Sequence, residues 1–326
     1  MKRDADGAVS DPKALVAPHA ERGYDHLIEA CRTTAAACPE IRSLTHLTLN
    51  TVDFCVRAAA ATPFEDALPW EDDVEVEGRP ARRLVRWVTE LDRAMRPLNT
   101  GELMRVLAVT RSSGAQCSRL REGQYVVGVS ATGAGSDAVD RAVNAMVTDL
   151  RTRHYQQGDE LPGGELGRSK RVLDGQVPLV MHVLTPDQDE ESRLRGIWQR
   201  HVNPYDLQYA GYYRRRSPVC VGDAFEHGEL VDTFLVVPVQ TRRALYRDLV
   251  FRLGSALVEL TDILRPVTGD PVERLVLDVQ EGAVYVHWLD AAAGDFLVGV
   301  TVRQREVAVA EERLADLIAE LRPGPR

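Results

Sequence analysis

The densest cluster of aromatic and basic side chains in the chain is Tyr209-Ala210-Gly211-Tyr212-Tyr213-Arg214-Arg215-Arg216-Ser217-Pro218. Arginine forks grip carboxylates or phosphates through paired hydrogen bonds, and tyrosines add stacking faces and hydroxyls. Tyr212, Tyr213, Arg214, Arg215 and Arg216 are therefore expected to bind an anionic ligand or a protein partner. The competing account is a polar hairpin whose arginines meet surface acids.

A second candidate is Ser130-Ala131-Thr132-Gly133-Ala134-Gly135-Ser136-Asp137, which links an expected strand to an expected helix. Backbone N–H groups at such a junction bind anions, so Thr132, Gly133, Gly135 and Ser136 form a candidate anion loop. The loop has neither the lysine of a phosphate-binding P-loop nor GxGxxG spacing, and a plain loop with helix capping by Ser136 or Asp137 is the favoured account. Lys170 and His182 are candidate proton-transfer residues. Together with Arg214, Arg215 and Arg216 they would supply a base, an acid and a phosphate clamp for an elimination on a phosphorylated substrate. Against this, Lys170 falls in an expected linker and His182 shares a strand face with Val180 and Leu184, as a hydrogen-bonded core histidine would.

Other reactive side chains do not assemble into a motif. Cys31, Cys38, Cys55, Cys117 and Cys220 form no CxxC pair, which points to buried small hydrophobes in a reducing compartment. HExxH and GxSxG are absent from the sequence. The acids between Thr62 and Glu77 lack the spacing of a calcium loop and are expected to form a solvated segment. No metal and no cofactor is expected.

The elements that must position these residues follow from composition and periodicity. A length of 326 residues exceeds the roughly 250–300 at which a single core stops growing. The net charge of -9 disfavours nucleic acid as a partner. Lys2, Lys13 and Lys170 are the only lysines, and this arginine bias suggests a GC-rich bacterial genome. No apolar run is long enough to span a membrane and Met1–Ala20 is polar, so a cytoplasmic location is expected.

Two helices are expected between Tyr24 and Ala61, and a strand from Val177 to Leu184. After it, Thr185-Pro186-Asp187-Gln188 should open a helix, and Asp232–Gln240 should be a buried strand. The strongest pattern is repeated. A helix over Ala81–Arg96 stops at Arg96-Pro97, and a helix over Arg242–Arg265 stops at Arg265-Pro266. Each stop precedes a Thr-Gly turn, a hairpin at Gly114 or Gly282, a third strand (Tyr125–Val129 or Phe296–Val300) and a closing helix. In the closing helices Val143, Met146, Val147 and Leu150 match Leu314, Leu317, Ile318 and Leu321.

The expected fold class is thus α+β with two similar halves, each a mostly antiparallel sheet of hairpin plus third strand, packed by a preceding and a closing amphipathic helix. The expected boundaries are a tail at 1–20, an N-terminal half at 21–152, a linker at 153–175, a C-terminal half at 176–322 and a tail at 323–326. The hairpin, third strand and closing helix, at Arg274–Leu289, Phe296–Val300 and onward to Leu321, resemble the C-terminal part of roadblock-family small-GTPase regulators. They also resemble the end of EspG-type secretion chaperones. The resemblance covers less than half the chain and brings no functional residues with it. It implies a binding platform, so a non-catalytic adaptor in a protein complex is the leading expectation. An enzyme acting on an anionic or phosphorylated small molecule or peptide, and a structural oligomer-forming subunit, are the alternatives.

Overall fold

A computed structural model describes residues 11–58, 73–157, 162–165, 167–173, 175 and 177–322. The first run of elements is β1 (Lys13–Val16), α1 (Asp25–Ala37), β2 (Ile41–Thr48), β3 (Thr51–Arg57), α2 (Val74–Glu77), α3 (Arg79–Met95), β4 (Leu103–Thr110), β5 (Gly114–Arg121), β6 (Gln124–Ser130) and α4 (Ser136–Asp149). The second is β7 (Val180–Val183), α5 (Gln188–His201), β8 (Tyr209–Arg214), β9 (Ser217–Asp223), α6 (Val239–Thr268), β10 (Val272–Val279), β11 (Gly282–Asp290), β12 (Asp295–Thr301) and α7 (Val307–Leu321). The class is α+β, with antiparallel strand pairing. No helix among the described residues is long and apolar enough to cross a membrane.

The chain forms two compact units. Unit 1 takes Met1–Trp87, Val109–Gly158 and Leu260–Pro271, and unit 2 takes Val88–Ala108, Asp159–Glu259 and Val272–Arg326. In unit 1 the strands lie in the order β1-β3-β2-β6-β5. In unit 2 the order is β7-β9-β8-β12-β11, followed by β10.

The closing helices reach their strands by the same device. A side chain at Gly128 in the middle of β6 would sit 3.1 Å from Val143 of α4, and one at Gly299 of β12 would sit 2.9 Å from Leu314 of α7. Each glycine therefore admits an apolar side chain that lies fifteen residues further along. Val143, Met146, Val147 and Leu150 are all buried, as are Leu314, Leu317, Ile318 and Leu321.

Unit 1 also has a polar core. The Asp53 carboxylate accepts hydrogen bonds from Thr48 at 2.7 Å and pairs with His46 at 2.8 Å and His19 at 3.0 Å. Burial pushes the Asp53 carboxyl up, but these partners outweigh it and hold the group below the usual carboxylate range.

Four expectations are corrected. In place of a second helix between Pro39 and Ala61, the chain makes the β2–β3 hairpin. Its tip is a two-residue turn, Leu49-Asn50, with φ of 48° and 65°. Both strands are buried on both faces, so their apolar residues do not alternate and their spacing imitates a helix. Residues 13–16 of the expected tail pair as β1 with β3. Asp232–Gln240 is no buried strand, because it turns into the start of α6 and leaves Leu235 and Val236 73% and 76% exposed. Finally, α6 does not stop at Pro266. It runs on to Thr268, where Gly269 at φ 70° ends it with a bond from its N–H to the Arg265 carbonyl. A proline this close to the end forfeits one helical hydrogen bond only.

Part of the stretch expected as a linker makes specific contacts within unit 2. Gly163 donates its N–H to the Asp278 carboxylate, Glu165 donates to the Arg305 carbonyl, and Lys170 pairs with Asp316 of α7.

Gly299→Ala should cost about 1–3 kcal/mol in urea unfolding through overpacking against Leu314, and Leu314→Val in the same chain should recover part of that loss. Asp53 contributes stability above the unfolded carboxylate pKa of about 4 that is lost as pH falls through its lower folded value. Asp53→Asn should therefore be less stable at neutral pH, and its acid unfolding curve should be flatter than that of the parent.

Candidate functional site

Unit 2 has a pocket of about 700 Å³ between α6 and one face of the sheet. The sheet supplies His182, Tyr213, Val221, Trp288 and Phe296, and Leu184, Pro218 and Arg216 stand at the strand ends. From α6 come Arg247, Val250, Phe251, Gly254 and Ser255. The lining is thus apolar and aromatic, with two guanidinium groups.

Near the pocket, aromatic side chains pack between helix and sheet. Tyr209, four residues before Tyr213 on the same strand, lies 6.2 Å from Phe225 and 6.0 Å from Tyr246 between ring centroids. Phe225 in turn packs on Phe234. Further along α6, Val250 and Gly254 offer little volume to the pocket. A side chain at Gly254 would meet nothing within 4 Å. Phe251, at the rim, is 88% exposed.

Tyr213 forms the inner wall. It stacks on Phe296 at 4.8 Å with nearly parallel rings, and its hydroxyl lies 3.3 Å from that of Tyr209. Burial pushes both phenols up, against the pull of the Arg247 charge, so both are protonated at neutral pH. The Arg216 and Arg247 side chains form no hydrogen bond or ion pair among the described residues. Arg216 and Arg215 make the two-residue turn between β8 and β9 with φ of 64° and 50°, a conformation that non-glycine residues rarely adopt.

Strand alternation divides the expected cluster. Tyr213 faces the pocket, and Arg216 reaches it from the turn. Arg214 bonds instead to Glu190 of α5 at 2.8 Å, with its guanidinium against the Tyr212 ring, so its charge is neutralised on the other side of the sheet. Glu190 is held below the usual carboxylate range by hydrogen bonds from Thr185 and Arg214. The Arg215 N–H is bound by Asp295.

His182 is no core histidine. β7 is the outermost strand of its sheet, and His182 is exposed at the pocket wall. Lys170 lies elsewhere, 2.5 Å from Asp316. The base, acid and clamp expected from the sequence are therefore not brought together: His182 and Arg216 share the pocket, whereas Lys170 and Arg214 do not line it.

The candidate anion loop closes on itself. Gly135 N–H bonds to the Thr132 carbonyl and hydroxyl, Ser136 N–H bonds to the Gly133 carbonyl, and the Ser136 and Ser130 hydroxyls lie 3.0 Å apart. Its glycines answer to close packing, since a side chain at Gly133 would sit 2.3 Å from the Arg111 carbonyl and one at Gly135 2.9 Å from Glu40. All five cysteines are buried and unpaired. Burial pushes the thiols of Cys31 and Cys220 up to about 12 and that of Cys55 to about 11, which leaves them as unreactive hydrophobes.

A second cavity, of about 670 Å³, is lined by Arg171, Arg195, Arg200 and Arg313. Three of these are already ion-paired, with Glu191, Glu320 and Asp206, and Arg171 lies over the Tyr205 ring.

Sequence reasoning missed Arg247, Phe251, Gly254, Trp288 and Phe296. The signal available for two of them was a glycine and an unmatched phenylalanine in an otherwise regular amphipathic helix. No protein-family profile matches this chain, and comparison with curated proteins finds no match, so the site rests on its own geometry.

Gly254 has ordinary helical backbone and open space at its Cβ. Gly254→Ala should therefore stabilise the protein by about 0.5–1 kcal/mol in urea unfolding, through lower backbone entropy in the unfolded chain.

Proposed function

We propose that this protein is a non-catalytic binding protein, an adaptor in a protein complex, and that its docking point is the pocket between α6 and the sheet of unit 2. The observation that carries this reading is the lining itself. Phe251 is 88% exposed and Trp288 part-exposed beside the stacked Tyr213 and Phe296, next to two arginines whose charges are not neutralised by a described partner. Leaving aromatic surface exposed forgoes stabilisation that burial would supply, and exposed aromatics flanked by arginine mark sites where another molecule completes the packing.

We further infer that the two runs of elements descend from one duplicated unit, with boundaries near those expected from the sequence. Support comes from the shared order of strands within each sheet and from the paired contacts of Gly128 with Val143 and Gly299 with Leu314. The runs have diverged in chemistry, since the pocket arginines and aromatics belong to the second.

An enzymatic reading on an anionic or phosphorylated substrate draws on the Arg214–Arg216 cluster, the glycine-rich loop and Lys170, and the pairing of Lys170 with Asp316 speaks for the binding reading instead. The structural-subunit reading draws on Phe251 and Val258, which are exposed seven residues apart on α6.

The test uses 1-anilinonaphthalene-8-sulfonate, an apolar aromatic anion. One saturable site with blue-shifted emission is expected. It should be lost in Gly254→Phe, which fills the pocket, and kept in Gly254→Ala, with circular dichroism confirming that both variants fold. Absence of saturable binding, or binding untouched by Gly254→Phe, rejects the pocket as the docking point.

A further inference from the structure

We infer that two copies of this chain pair through the outer face of α6. The two helices run antiparallel across a twofold axis, so that Phe251 of one copy packs on Ser255 of the other and Arg247 meets Glu259. This contact goes beyond the pocket reading and does not depend on what the pocket holds. Three features of the unit 2 part of α6 carry it: a row of exposed side chains, their sizes and their charges.

The helix buries one side only. Leu249, Leu253 and Leu257 are buried, with Tyr246 and Val250 beside them. On the opposite side Asp248, Phe251, Ser255 and Val258 are exposed, and they follow one another at spacings of three and four residues. Side chains so spaced form one row along a helix, the row by which two helices interlock. Phe251 is 88% exposed and Val258 56%. Two large apolar residues in such a row forgo stabilisation that a second helix would restore.

Size sets the register. A twofold axis level with Leu253 places residue 251 of one copy against residue 255 of the other, and residue 248 against residue 258. Phe251 then meets Ser255 beside Gly254, where a Cβ would find nothing within 4 Å. The largest side chain of the row thus lies on its smallest, and symmetry repeats the contact. Val258 lies opposite Asp248, whose charge has Arg252 four residues further along its own helix.

Charge selects the direction and the occupant. The same register sets Arg247 against Glu259, and both residues are exposed. Neither has an opposite charge three or four residues away along α6, so neither is matched within the helix. A parallel pair would set Arg247 against Arg247 and Glu259 against Glu259, which opposes that arrangement. A single helix carries both halves of each ion pair, as a self-complementary contact requires. An anionic membrane would instead meet Asp248 and Glu259 on this face, in a chain with a net charge of -9.

Sedimentation equilibrium of the full chain tests the pairing. The contact is small, so a monomer–dimer equilibrium with a Kd of about 10 µM is expected. Phe251→Glu should leave monomer alone. Arg247→Glu should weaken the dimer about tenfold by setting two acids together, and adding Glu259→Arg should bring it back to within about threefold of the parent. Circular dichroism checks that each variant folds, which substitutions at these exposed positions should allow. Monomer alone at about 500 µM, where such an equilibrium is mostly dimer, overturns the inference. A dimer that survives Phe251→Glu overturns it also, because the contact then lies elsewhere. So does a charge reversal at Glu259 that fails to rescue the one at Arg247, because the helices then do not meet in this register.

Discussion

The separation between α6 and the sheet of unit 2 is the constraint on which the site depends. It is set by rings: Tyr209 from β8, Phe225 beyond β9 and Tyr246 from α6 pack together, and Arg242 is buried behind them with its guanidinium facing Phe234. A helix held off a sheet by aromatic side chains stays at that height for its next turns, because its backbone hydrogen bonds make it stiff. Where α6 then lines the pocket with Val250 and Gly254, these small side chains leave a gap. Close packing is the rule in protein interiors, so an unfilled space of this size, open to solvent and lined with rings, is a feature that the surrounding packing maintains.

The hairpin beneath α6 divides its charges by the same kind of local rule. Successive strand residues point to opposite faces, so Tyr212 with Arg214 and Tyr213 serve different surfaces. Arg214 is spent on Glu190 of α5, whereas Arg216 is freed by the turn. That turn holds two arginines at positive φ, where asparagine and glycine are the usual residues. Its geometry matches the twist of the flanking strands, and the backbone cost is offset in part by bonds from the Arg216 N–H to Gly294 and from the Arg215 N–H to Asp295. Backbone strain beside an open pocket is a familiar mark of residues kept for what they touch.

Unit 1 follows the same pattern of strands but closes its interior differently. Asp53 gathers His46, Thr48 and His19, and the His46 ring stacks on Phe54 at 5.2 Å. The helix-facing glycine of β6 and the buried stripe of α4 then finish the packing, as β12 and α7 do in unit 2. The pocket with its aromatic rings and two arginines is lined by residues of the second run of elements.

Much of the fold was legible in the sequence because helices and hairpins are written locally. The stripes of α3, α4 and α7, the opening of α5 after Thr185-Pro186, the turns before Gly114 and Gly282 and the third strands β6 and β12 all follow from periodicity and turn chemistry over a few residues. The α+β class was therefore determined by the sequence itself. β2 and β3 were not legible, since strands buried on both faces lose the alternation that identifies them. Nor was the packing of Gly163 and Lys170, because a segment rich in glycine reads as free chain until a partner such as Asp278 or Asp316 is placed beside it. The pocket belongs wholly to the tertiary structure. Its lining comes from β7, β8, β9, β11, β12 and α6, and no spacing along the chain relates Arg216 to Arg247 or Tyr213 to Trp288. Periodicity states which face of an element is apolar, and only the fold decides whether that face meets another side chain or an empty space.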